Sequence, residues 1–159
     1  MSYDSEPDAR PGAYALLLRI AVTDFVTIGR HHQLVLAPGW MIYAGSAFGP
    51  GGVRGRLMHH RRLAERPHWH IDYLRQYALL EAVWFSHDPI RRECLWAAVL
   101  AEDLGGSPPP FRFGASDCRC SAHLYGFRNR PTLVVFAAAL QARCPDHAAV
   151  VEQRIVSQQ

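Results

Sequence analysis

At 159 residues and 17.9 kDa the chain carries one domain's worth of sequence, and no linker is visible to divide it. Its 49% hydrophobic and 19% charged content excludes disordered, collagen-like and coiled-coil classes. Net charge is +3 and all 17 basic residues are arginine, so a P-loop with its phosphate lysine, a Schiff base and a kinase-type lysine are excluded.

No apolar run approaches the ~20 residues of a membrane-spanning helix, and the first eleven residues are acidic and polar rather than basic then apolar. The expectation is a soluble, cytoplasmic protein with no membrane partner. In chain order, residues 1–11 read as an acidic flexible tail. Residues 13–22 form an apolar run of strand length opened by Pro11-Gly12. A short run at 34–37 and an aromatic, branched run at 40–46 read as two antiparallel strands joined through Pro38-Gly39. Breakers fill residues 48–52, and 53–66 has helical spacing, with Val53, Leu57 and Ala64 on one side and a stop before Pro67. Residues 79–86 are the next strand. A turn at His87-Asp88-Pro89 follows, with Asp88 as N-cap and Pro89 at the first position of a helix over 90–104, which Gly105-Gly106 ends. A polar loop occupies 111–127, and an apolar element at 132–139 has no assigned type. The reading is a small mixed α/β (α+β) domain over 12–140, a mainly antiparallel sheet with flanking helices, followed by a C-terminal extension at 141–159.

Basic charge is concentrated between residues 54 and 75, where Arg54, Arg56, Arg61, Arg62, Arg66 and Arg75 face only Glu65 and Asp72, with His59, His60, His68 and His70 interleaved. Guanidinium forks suit phosphate oxygens. A solvated helix face is the alternative reading of the same charges.

Several motifs together resemble the GIY-YIG nuclease superfamily. They are Gly12-Ala13-Tyr14 opening the first strand, Tyr43-Ala44-Gly45 in the central strand, Arg56 in the following helix with His60 four residues on, and Glu93 early in the second helix. Residues 69–73 (WHIDY), 113–118 (FGASDC) and 121–124 (SAHL) look like a branch of small stand-alone proteins in that superfamily. The resemblance runs from about residue 12 to 127. Both name-giving tripeptides keep Tyr and Gly but carry alanine in place of the middle isoleucine, a change that still suits a sheet interior. The resemblance implies a GIY-YIG-like fold and a divalent-metal-dependent endonuclease or phosphodiesterase acting on nucleic acid, DNA before RNA. Mg²⁺ or Mn²⁺ would be the cofactor, and Tyr14, Tyr43, Arg56, His60 and Glu93 the catalytic set.

The residue types suit that chemistry. Hydrolysing a phosphodiester needs an activated water, neutralised phosphoryl oxygens and a stabilised leaving alkoxide. Arg56 can hold two oxygens, His60 one turn later can donate to the same group or move a proton, and Glu93 offers a hard oxygen ligand for Mg²⁺. A phenol titrates near 10, so Tyr14 or Tyr43 acts as base only if Arg56 and a cation favour its phenolate. By resemblance Tyr14 is the base candidate and Tyr43 its orienting partner. Taken singly, either tyrosine also reads as a core aromatic with its hydroxyl at the surface. Gly45, Ser46 and the glycines up to residue 52 offer an amide cradle for a phosphate ahead of the helix, or simply a tight connection. Arg54, Arg61 and Arg62 are candidate backbone contacts.

A second polar group comprises His70, Asp72, Ser116, Asp117, Cys118, Cys120 and His123. Cys118, Cys120 and His123 lie within six residues and invite a zinc reading, with His70 or Cys144 as fourth ligand, although Cys-x-Cys is tighter than the usual spacing. A shaped polar loop beside the site is the other reading. A Ser116–His123–Asp72 hydrolase lacks the G-x-S-x-G elbow. Two alternatives to the nuclease are a non-catalytic nucleic-acid-binding module on the same scaffold and a zinc-binding structural protein.

Overall fold

Leu16, Leu17 and Leu18 follow one another without a polar break. A strand containing such a run must bury both faces, and in the computed structural model it does so as the centre of the sheet. The structure describes residues 6–156, so the first five residues of the expected acidic tail lie outside the described residues, as do residues 157–159. Strand β1 (Gly12–Ile20) is buried at every position except Arg19. It pairs on one side with β4 (Gly39–Ala47) and on the other with β5 (Leu79–Ser86), and β6 (Leu124–Phe127) and β7 (Val151–Arg154) extend the two flanks. The order is β6-β4-β1-β5-β7 and every ladder is antiparallel. The fold is thus a mixed α/β domain built on a five-stranded antiparallel sheet with helices against it.

The register decides what each face carries. Tyr14 lies opposite Gly45 and Phe85, and Leu16 opposite Tyr43, so both tyrosines share one face. Ala15, one step on, pairs with Ala44 and Trp84 on the other. There Trp84 stacks on Phe136 at 4.7 Å between ring centres, and Trp96 meets Phe136 edge-on at 5.1 Å. Phe136 belongs to α4 (Leu133–Arg143), the element whose type the sequence left open. Thr132 caps it, its hydroxyl accepting from the Val135 amide. Trp96 belongs to α3 (Glu93–Ala98), which continues as a π-helical segment over Val99–Asp103.

Several expected elements differ. The strands at 34–37 and 40–46 are not partners: β3 (His32–Leu36) pairs with β2 (Asp24–Ile28) in a separate two-stranded sheet. In that hairpin Val26, Ile28, Leu34 and Leu36 turn inward while Phe25 and Val35 face solvent. Helix α1 (Gly52–Arg61) stops before the expected 66, because Arg62 turns to extended backbone. A short helix, α2 (His70–Leu74), occupies the stretch after Pro67. Asp88 does not cap a helix at Pro89. Its carboxylate accepts from the Ile90 and Ala148 amides and pairs with Arg92, which bends the chain before α3 begins at Glu93. The last four residues of the expected 111–127 loop are strand β6, and residues 151–154 of the expected extension are β7, paired with β5. No helix among the described residues is long and apolar enough to cross a membrane.

Candidate active site

Two strands, three helices and the loop before β6 converge on a cavity of about 260 Å³. Tyr14 and Tyr43 enter it from the sheet, Arg56 and His60 from α1, and Glu93 from the first position of α3; His70, Ser116 and Asp117 close the remaining side. All five residues expected to act in catalysis are therefore brought together.

The Tyr14 hydroxyl lies 2.8 Å from His60 Nε2. Burial holds the imidazole down to about 3, His59 adding to the effect, so His60 is neutral and accepts the phenol's proton in this bond. Its other nitrogen, Nδ1, is buried with no hydrogen-bond partner among the described residues. Burial also raises both phenols. For Tyr14 the neighbouring Tyr43 is the next cause and Arg56 works the other way; for Tyr43 Glu93 adds to the rise and Arg56 again opposes it. Arg56 alone thus does not make a phenolate at neutral pH.

Trp69 orients Arg56, whose guanidinium carbon sits 4.2 Å from the indole centre. Trp69 is itself held by Asp72. One Asp72 oxygen accepts from His59 Nε2 at 2.9 Å and the other from the His68 and Trp69 amides at 3.0 Å. Burial raises Asp72, but these three donors outweigh it and leave the carboxyl below its ordinary 3.8. A carboxyl depressed in the folded state stabilises fully above its unfolded value and loses that contribution as pH falls through the folded one. Asp72→Asn is expected to cost about 1–3 kcal/mol at neutral pH and to flatten the acid limb of stability against pH, measured by urea unfolding at several pH values. An unchanged acid limb in that variant would refute the role.

Glu93 is half-buried and its carboxylate takes no hydrogen bond among the described residues. Burial lifts its pKa and Asp117 adds to the rise, while Arg91 and Arg56 oppose it. The Ser46 hydroxyl, on the same cavity, is buried without a partner among the described residues. The carboxylates of Glu93 and of the exposed Asp117, both on this cavity, are the hard oxygens that suit a small oxygen-loving divalent ion, which binds through one or two carboxylates and keeps several waters.

Other expected contacts lie elsewhere. The amides of Val53 and Arg54 at the start of α1 donate to the Arg10 and Asp8 carbonyls at 3.0 and 2.9 Å, and that of Gly52 to the Gly49 carbonyl at 3.2 Å, so these first amides of the helix are engaged by the chain itself. Gly45 lies beneath the Tyr14 ring, where a Cβ would stand 2.5 Å from the phenol oxygen. Arg61 donates to Gln153 and lines a different cavity with Arg75 and Gln153, and Arg62 lies beside His59 and Leu63; neither reaches the site, and Arg54 does not line it. The second polar group also divides. His70 faces the cavity and its Nδ1 accepts from the Gly114 amide at 3.1 Å, Asp72 serves Trp69, and Cys118, Cys120 and His123 gather with Cys94. Neither His70 nor Cys144 joins that last group; Cys144 bonds Asp146 instead. Gly114, with φ +67°, packs against Tyr43, so the loop can close over the phenol only with no side chain there.

Sequence reasoning passed over Trp69 as the platform of Arg56 and Cys94 as a neighbour of the Cys-x-Cys loop. The interleaved aromatics of the basic stretch were the signal for the first; no local spacing could reveal the second.

A family model described as a domain of unknown function, DUF123, matches residues 13–151. The chain belongs to the DUF123 family. The match covers every strand but the first residue of β1 and the last three of β7, so the DUF123 domain contains the whole cavity. No curated protein and no solved structure matches the chain.

Proposed function

We propose that this DUF123 chain is a divalent-metal-dependent phosphodiesterase of the GIY-YIG type, cutting nucleic-acid backbones. The observation that carries the reading is the convergence of Tyr14, Tyr43, Arg56, His60 and Glu93, from four separate elements, on one open cavity. A structural role would leave no reason for a guanidinium, a half-buried carboxylate and a phenol–imidazole pair to share it.

Arg56, steadied on Trp69, offers its fork to two phosphoryl oxygens. A water attacking phosphorus gives a proton to the Tyr14 oxygen while Tyr14 passes its own to His60 Nε2, a relay for which the 2.8 Å bond is already formed. Arg56 is among the charges that depress His60, so a phosphodiester arriving beside it makes the imidazole a better acceptor. Tyr43 stands 6.4 Å from Tyr14, ring centre to ring centre, and lines the cavity beside it from the same face of the sheet. Glu93 and Asp117 would hold a Mg²⁺ or Mn²⁺ ion, whose chemistry is to neutralise charge on the leaving oxygen.

The test is incubation of the purified chain with supercoiled, flapped, branched and single-stranded DNA and with matched RNA, in Mg²⁺, Mn²⁺ or EDTA. Cleavage in the metals and none in EDTA is the expected result. Arg56→Ala should lower the rate about 10²–10³-fold without unfolding the chain. Salt-sensitive binding with no product on any substrate would overturn the reading in favour of a non-catalytic module.

A further inference from the structure

The cluster that the cavity does not use lies behind it. Cys118 Sγ is 3.3 Å from His123 Nε2, Cys94 Sγ is 4.0 Å from the same nitrogen, and with Cys120 all four ligand atoms lie within 4.8 Å of one another. A tetrahedral zinc ion, with bonds of about 2.0–2.3 Å, holds its ligand atoms about 3.5–3.8 Å apart. The widest pairs therefore need to close by about 1 Å, and the Cys118–His123 pair to open slightly, to take such an ion. It is too tight for an iron–sulfur cluster, whose ligands are spread over several irons. Three sulfurs and one imidazole are a structural zinc donor set, and a fourth protein ligand leaves no open coordination position for catalysis.

We propose that Cys94, Cys118, Cys120 and His123 form a closed Cys₃His zinc site that fastens the 111–123 loop to the start of α3. On binding, three thiol protons leave to water and the ion takes three thiolates and a neutral imidazole, so the site carries a net charge of −1. The surroundings suit that charge. Arg112 gathers the loop's carbonyls, donating to Ala115 O at 2.8 Å, to Cys120 O at 3.3 Å and to Cys118 O, and so brings a guanidinium to the backbone of two of the ligands.

The consequence concerns position. Cys94 follows Glu93 directly and Cys118 follows Asp117, so one ion fixes the backbone next to both carboxylates that face the cavity. Zinc is here a positioning device for them and takes no part in chemistry. Zinc binding itself does not depend on the phosphodiesterase reading.

The full chain, purified without chelator, should contain about one zinc per molecule by elemental analysis. A Cys118→Ser, Cys120→Ser double variant should carry only background zinc, and Cys144→Ser should keep the full amount. On the unaltered chain, a thiol reagent should titrate Cys144 alone while zinc is bound and all four cysteines after chelation. Reloading with Co²⁺ should give thiolate-to-cobalt absorption. If the double variant fails to fold, the titration of the unaltered chain decides. Four equally reactive thiols in the folded chain with zinc supplied in excess, or full zinc content in a folded double variant, would overturn the proposal. No nucleic acid enters these measurements, so a failure here is separate from a failure of the cleavage assay.

Discussion

Glu93→Gln is expected to lose cleavage activity by about a thousandfold or more while the protein becomes slightly more stable. The activity follows from ligand chemistry. An amide oxygen is a poor substitute for a carboxylate on a hard dication, and charge stabilisation by such an ion contributes several kcal/mol to phosphoryl transfer. The stability follows from the environment. Burial raises the Glu93 carboxyl in the folded protein, with Asp117 adding to the rise. A carboxyl raised on folding opposes folding once pH exceeds its unfolded value, and the cost persists above the folded one. Glutamine removes that cost without changing shape, and the packing of α3 rests on the buried Trp96 and Ala97. Thermal melts at neutral pH beside a nicking assay read both quantities. A variant that cuts at the wild-type rate, or that melts lower, would contradict the assignment.

Gly45→Ala is expected to cost about 1–3 kcal/mol and to break the Tyr14–His60 pair at the same time. Gly45 is the cross-strand partner of Tyr14, and the phenol ring lies directly over it. A methyl group there would stand 2.5 Å from the hydroxyl oxygen and closer still to the ring carbon that bears it. The ring must lift, and the hydroxyl then leaves His60. Urea unfolding measures the cost, and a double-mutant cycle isolates its cause: in a Tyr14→Ala background the alanine at 45 should be nearly free. Equal costs in both backgrounds would show that the glycine serves something other than the ring. In this light the glycine of YAG serves the tyrosine of GAY across the β1–β4 seam, whereas Gly12 packs against Ser86 and Val53.

How far the sequence foretold this depends on the range of the interactions involved. The central strands were legible because β1, β4 and β5 carry continuous apolar runs that only a buried sheet explains. The catalytic candidates were legible because motif order survives in the chain, though nothing local says that Glu93 meets Tyr14. The β2–β3 hairpin was not, since Phe25 and Val35 point outward and blur the alternation. Asp88 looked like an N-cap because its neighbours are right for one, yet Ala148, far along the chain, claims one of its oxygens. The start of α1 was hidden for a similar reason: the carbonyls of Asp8 and Arg10, remote from it in sequence, accept from its Arg54 and Val53 amides. Cys94 belongs with Cys118 and Cys120 only because α3 and the loop fold against each other.

The placement of β1 has a consequence for how the molecule assembles. Its neighbours are β4 and β5 rather than β2, so each seam of the large sheet joins stretches distant along the chain. Closing such loops costs entropy before any contact compensates it, which puts the domain among slow, high-contact-order folders rather than rapid helical ones. Tyr14 emerges first and waits for partners from every later segment. A partly folded chain would hold the phenol without its imidazole, and the cavity would appear only in the final cooperative step.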